Sequence, residues 1–348
     1  MKRLNCILTL ITVISTAALS AQEVPNTPHE NKLFQFSLFH PIGTDGSQSD
    51  ENGYTISVNI LYGETGSVEG VEAGGLVNQN RNHMHGVQYG GLASITREEV
   101  KGLQYGGLAN VTGGPVQGLQ IAGLVNTTHA EVSGVQAASI VNVSCDLQGV
   151  QLGSIVNAAG NVDGIQLAAL VNRGKNVRGV QIAGLVNSAE SLDGIPIGLV
   201  NFVRKDGKFS AGIGGQEYVP SMLSLRSGVR YFYTILSVGY NPFSQRNAVY
   251  GGGFGTEHEV LPGNSLAFEG EIHNLTSNFY SEDYAVVGTL RATWNVYLTD
   301  RFSIYAGPTR NILGMSSNVT EDVAPSRAAE DDGRYTWWGG TVGVQSHF

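Results

Sequence analysis

Few side chains in this sequence have the types and spacing that chemistry requires. His83 and His85, in the run Asn82-His83-Met84-His85, stand two apart. In an extended chain they share a face and could hold a transition metal. No third ligand recurs in the neighbouring connectors, so the pair reads as an exposed polar turn and no metal site is assigned. The run Glu271-Ile272-His273-Asn274-Leu275-Thr276-Ser277 offers an acid, a histidine and a serine, the parts of a hydrolytic triad. A nucleophile needs its base within hydrogen-bond reach. Four residues along a straight strand hold His273 and Ser277 about 13 Å apart. Asp45, Asp50 and Glu51 make the loop 43–53 acidic, but they lack the spacing and terminal glutamate of a calcium loop. Cys145 has Asp146 beside it and no histidine nearby in sequence, which describes a free thiol without a role. No catalytic, cofactor-binding or metal residue is therefore assigned, and no cofactor is implied.

The dominant pattern lies elsewhere. From Val68 to Asn201 the consensus Val-x-Gly-Val-Gln-x-Ala/Gly-Gly-Leu-Val-Asn is written nine times. Its opening glycines are Gly70, Gly86, Gly102, Gly118, Gly134, Gly149, Gly164, Gly179 and Gly194, spaced sixteen residues four times and then fifteen residues four times. Asparagine closes eight of the nine copies, and Ser94 closes the other. Catalysis needs unlike residues at unlike places, whereas this region repeats like residues at like places. Each copy is one supersecondary unit that buries its surface against its neighbours.

Within a copy, alternate residues fall on opposite faces of a strand. Gln181, Ala183, Leu185 and Asn187 share one face; Val180, Ile182, Gly184 and Val186 share the other. Neither face is strongly polar, so both should meet something other than bulk water. Two architectures meet that condition. In a β-solenoid each coil divides into sides of five with glycine at two corners, and glutamines and asparagines stack into amide ladders. In the alternative, every copy is a spanning strand of one larger porin-like barrel of about 18 strands. The solenoid is preferred, because only Tyr89 and Tyr105 are available where spanning strands bring aromatic girdles. Pro196 replaces the glutamine of the last copy and cannot donate to a ladder, which marks the end of the stack.

Residues 1–21 read as an export signal: Lys2 and Arg3, an apolar run from Cys6 to Leu19, then small residues up to Ala21. The mature chain would hold 327 residues and one cysteine. With Lys2 and Arg3 gone, 18 basic residues face 29 acidic ones, a formal charge of −11 that argues against a nucleic-acid partner. Gly, at 47 residues, alternates with Val, Ile, Leu and Tyr, and no segment shows sustained helical periodicity. The fold class is all-β. Residues 22–67 read as a lead-in with strands that join a barrel, and 202–348 as the barrel itself, of about eight to ten strands. In the last strand Trp338, Gly340, Val342, Val344 and Phe348 share a face, interrupted by Ser346. An alternating strand that ends on phenylalanine resembles the C-terminal signature read by the barrel assembly machinery of the outer membrane.

The tandem Gly-Val-Gln-x-Ala-Gly-Leu-Val-Asn motif resembles that of bacterial surface-repeat proteins, exported chains of Gram-negative groups. The resemblance covers about 134 residues, 68–201. It implies a surface location, a structural or interaction role, and no catalytic residues to carry over; residues 33–63 and 208–348 look like an outer-membrane barrel, which implies an outer-membrane location with outer-membrane lipid around it. Two other readings stay open: a porin-like passive channel, and a lipid hydrolase of the outer membrane acting through Ser277.

Overall fold

The computed structural model describes residues 30–277, 284–314, 323, 328–331 and 334–348. The export signal expected at 1–21 and most of the polar segment 314–334 lie outside them. The described chain is all-β and divides into two compact units, 1–194 and 195–348.

The first unit is a parallel β-solenoid of about ten turns. Each copy supplies a longer strand and a shorter one, as in Asn176–Ala183 and Val186–Ala189. Equivalent residues of successive copies pair in parallel: Gly118 with Gly134, Gln120 with Gln136, Asn126 with Asn142. Spanning strands of a porin-like barrel would pair antiparallel. That alternative is set aside for the repeats.

The opening glycine has a physical cause. Gly149 sits at φ 137°, and a Cβ placed on it would lie 2.1 Å from the carbonyl oxygen of Gly134 in the coil below. The glycine lies inside the longer strand, and a coil carries one strand of eight residues and one of four, as in Asn176–Ala183 and Val186–Ala189. Any side chain would meet both a disfavoured backbone and a backbone oxygen.

The interior of the stack is polar. Gln88, Gln104, Gln120, Gln136, Gln151, Gln166 and Gln181 are buried, and each Nε2 from Gln104 onward donates to the Oε1 of the glutamine one coil earlier, at 2.7–2.9 Å. The asparagine column runs the other way: Asn126 Nδ2 donates to Asn142 Oδ1 at 3.0 Å, and Asn142 to Asn157 at 2.9 Å, each one coil later. Each of these Nδ2 groups also reaches a backbone carbonyl of the next coil, as Asn126 does to Ala137 at 2.7 Å. Most of the buried amides are thus satisfied by their own repeats, Asn110 Oδ1 and Gln181 Oε1 being exceptions. A column of valines, with Met84 and Leu147 among them, fills the remaining interior corner.

One expectation is corrected here. Asn31–Phe39 and Gly53–Thr65, read as barrel-associated strands, pair in parallel with each other, and the second pairs with Ser67–Gly74. They are the first coils of the stack. Their side chains continue its columns, with Phe34, Ile56 and Val71 in register.

The second unit contains eight antiparallel strands: β1 (Gly207–Gln216), β2 (Val219–Val229), β3 (Phe232–Tyr240), β4 (Ala248–Leu261), β5 (Asn264–Thr276), β6 (Tyr284–Thr299), β7 (Phe302–Gly314) and β8 (Arg334–His347). Each pairs with the next, and β1 pairs with β8 from Ser210–His347 to Gln216–Thr341, closing the barrel. A short strand, Ala329–Asp331, lies along β8. The alternation read in the last strand is realised: Trp338, Val342, Val344 and Phe348 are 52–80% exposed, while Thr341 and Gln345 are buried.

Candidate functional site

The barrel interior collects the ionisable side chains of the second unit. Strand alternation turns Lys208 of β1, Arg226 of β2, Glu257 of β4, Glu269, Glu271 and His273 of β5, and Arg291 of β6 inward, all at most 7% exposed. Glu269 accepts from Arg226 Nε at 2.7 Å, Arg291 Nε at 2.5 Å and the Tyr233 hydroxyl at 2.8 Å. Arg291 also pairs with Glu271. Nearer the Gly207 end, Lys208 pairs with Glu257, which accepts from Tyr297 at 2.6 Å and from Ser265. Three cations thus meet three carboxylates. Buried charge is tolerated because each ion faces a partner within a hydrogen-bonded network.

Val249, Leu275, Ala285, Val287, Leu313 and Trp337 lie at the opposite end of these strands and form one apolar cluster. The barrel is therefore filled in layers, polar in the middle and apolar at that end. An eight-strand barrel has room for side chains and little else.

His273 is fully buried in this interior, and Ser277 is exposed beyond the end of β5. The two residues of the sequence-level triad are not brought together. The serine that does meet His273 is Ser237 of β3, whose Oγ lies 3.0 Å from Nε2 and 3.0 Å from Glu271 Oε2. Glu271 contacts the same nitrogen at 2.9 Å, and the Tyr218 hydroxyl sits 2.7 Å from Nδ1. In a hydrolytic triad serine and acid hold opposite nitrogens of the ring. Here both hold one nitrogen, inside a filled barrel. Ser237 was invisible in the sequence because it lies 36 residues away and meets His273 over Gly251 of the intervening strand β4.

The repeat stack brings a third group to the two histidines. Glu69 and His85 occupy equivalent positions of adjacent coils, sixteen residues apart, and are partners in register. Glu69, His83 and His85 each place a ligand-type atom within 4.8 Å of the others, with His83 Nε2 3.5 Å from Glu69. His85 Nε2 meets Glu99 at 2.8 Å, and Glu99 also holds Lys101 at 2.8 Å. Two imidazoles and a carboxylate are ligands suited to a divalent transition ion. Glu69 is 66% exposed, and His85 and Lys101 already contact Glu99.

Cys145 is exposed, with its Sγ 2.9 Å from the His129 carbonyl. Burial and the neighbouring Asp146 raise its pKa, the reverse of an activated thiol. In the acidic loop, Asp45 accepts from Lys32 at 2.7 Å and from Tyr54 at 2.8 Å, while Asp50 pairs with Arg81 at 2.5 Å. These carboxylates tie the first coils together.

No protein-family model matches the chain, and no curated protein matches it. Among solved structures it is similar to the N-terminal β-barrel domain of Pseudomonas aeruginosa OprF, at 15% identity and a TM-score of 0.27. That likeness covers 41% of this chain and 99% of the other. It is too slight to carry an argument, and the fold stands on the strand pairings alone.

Proposed function

We propose that the chain is an outer-membrane protein in which the eight-strand barrel is the anchor and the repeat stack a non-enzymatic structural or interaction module. The observation that supports this most is the polarity of the closed barrel. Ile213, Leu223, Val238, Phe254, Ile272, Leu290, Trp294 and Val342 point outward and are 42–64% exposed, while charges and hydroxyls point inward. An antiparallel barrel without edges, apolar outside and polar inside, is built to stand in lipid. The partners implied are outer-membrane lipid and, through the closing strand that ends at Phe348, the barrel assembly machinery. Enclosure of the Ser237–His273–Glu271 group favours a non-enzymatic role. The filled interior favours an anchor over a channel.

The test is fractionation of cells that express the full-length chain, with heat-modifiable migration as the signature of the folded barrel. The expected result is recovery in the outer membrane, and several-fold less folded protein for Phe348→Ala. Recovery in the soluble fraction would sink the proposal.

A further inference from the structure

The solenoid is inside out. Its interior holds ladders of amides and hydroxyls beside one column of valines, and its exterior holds aliphatic side chains. Counting from each opening glycine, the residue one later is Val71, Val87, Leu103, Leu119, Val135, Val150, Ile165 or Val180 in the first eight copies. Three later it is Ala, Tyr, Ile or Leu, and six later it is Leu or Ile. None of these twenty-four residues is buried or charged, and fourteen are at least 38% exposed. Phe34 and Ile56 extend the first column in register, and both are exposed.

Charge is confined to other columns. The residue before the glycine is Glu69, His85, Lys101, Asp163 or Arg178 in five of those copies and polar in the other three, and the connectors carry Arg97, Glu98, Glu131 and Glu190. The stack is thus an amphipathic body, the β counterpart of an interfacial helix. Exposed apolar patches on soluble monomers rarely exceed a few hundred Å². Protein partners of this size are usually recognised through about ten hydrogen bonds. These columns offer two tyrosine hydroxyls, Tyr89 and Tyr105, and their backbone groups are already paired between coils. A uniform surface with almost no polar handles suits acyl chains.

Barrel topology adds sidedness. The turns 230–231, 262–263 and 300–301 are two residues each and lie at the end where β1 begins. At the other end β1 and β2 are joined by the two residues 217–218 and β3 and β4 by the seven residues 241–247, and the sequence gives longer connections from β5 to β6 and from β7 to β8. In outer-membrane barrels the short turns are periplasmic. The chain before Gly207 enters at that end.

We propose that the apolar columns of the repeat stack lie on phospholipid, on the periplasmic leaflet of the membrane that the barrel crosses. This rests on the barrel reading above, and it departs from the cell-surface placement that the repeat resemblance implies. Two measurements on the full-length protein test it. In intact cells a membrane-impermeant maleimide should label Phe243→Cys, in the longer 241–247 loop, and should leave Cys145 unlabelled until the outer membrane is permeabilised. In phosphatidylethanolamine/phosphatidylglycerol vesicles, with Cys145→Ser as background, an environment-sensitive fluorophore at Leu108→Cys, Leu124→Cys or Leu167→Cys should be quenched by acyl-chain nitroxide lipids. At Arg178→Cys it should be quenched by aqueous iodide alone. Labelling of Cys145 in intact cells would overturn the sidedness. Iodide quenching at all three leucines, or protection from both quenchers as a second copy or a protein would give, would overturn the lipid contact. A probe at Val342→Cys on the barrel wall separates the two proposals: if it escapes nitroxide quenching, the anchor itself has failed.

Discussion

Glu72 is the acid in a column otherwise made of Gln35, Ser57 and the glutamines from Gln88 onward. Because each glutamine donates toward the N-terminal coil, the ladder must end on an acceptor. Glu72 accepts from Gln88 at 2.9 Å and Asn80 at 3.0 Å. It is fully buried, and burial pushes its pKa up to about 7 from 4.5. The folded protein therefore keeps a proton that the unfolded chain loses between these values, so its contribution is intact below pH 4.5 and is lost as pH rises to 7. At 1.36 kcal/mol per unit the loss is about 3 kcal/mol. Glu72→Gln should leave stability near pH 4.5 almost unchanged and raise it by up to that amount at pH 8, read by hydrogen exchange of amides 59–96. A gain independent of pH would refute this account. Ser94 supplies a second case. It gives its hydroxyl to the Tyr105 carbonyl at 2.9 Å, and Asn110 Oδ1, which an asparagine there would reach, is buried without a partner. Ser94→Asn should rejoin the asparagine column and stabilise the stack by about 1 kcal/mol, seen as a raised urea midpoint. Both columns were legible in the repeat. Glu69 beside His85 follows from the period of sixteen, but a ligand group made by stacking two unlike coils leaves no repeated signal in the sequence.

The coil is the natural unit of change. Deleting residues 149–163 removes one complete turn and lets Gln166 donate to Gln136, with every other column in phase. Deleting 149–155 inverts the alternation and drives aliphatics into the amide interior. Folded protein in the outer-membrane fraction should persist for the first deletion and fall at least tenfold for the second; equal losses would mean that the columns do not act as modules. The same periodicity explains what the sequence hid. Alternation in Asn31–Phe39 and Gly53–Thr65 fits a barrel strand and a solenoid side equally well, and neither segment carries the repeat consensus. Only pairing distinguishes them, and pairing is a long-range property. The barrel strands were legible because one wall faces outward and apolar, which alternation reports directly.

For the whole molecule, the filled barrel sets the expectation. Purified protein in planar bilayers should show no steady conductance, and sustained channel openings would contradict the layered interior. Glu269→Gln leaves Arg226 and Arg291 facing a neutral group in a buried network, which should cost about 3–5 kcal/mol and lower the temperature at which heat-modifiable migration is lost. None of this network was readable in advance, since its members come from five strands spread over residues 208–291. The opposed sense of the two amide columns has a consequence at this scale. Each side-chain amide is a small dipole, and a file of them aligned head to tail would build up charge at the two ends as peptide dipoles do along a helix. Seven hydrogen bonds of the glutamine file point toward the first coil, and the asparagine file points toward the last. The two files are antiparallel and largely cancel, so adding a coil adds little field along the axis. Such a column can grow or shrink by whole-copy duplication or loss with little electrostatic limit on its length, leaving copy number as the quantity that sets how much apolar surface it carries.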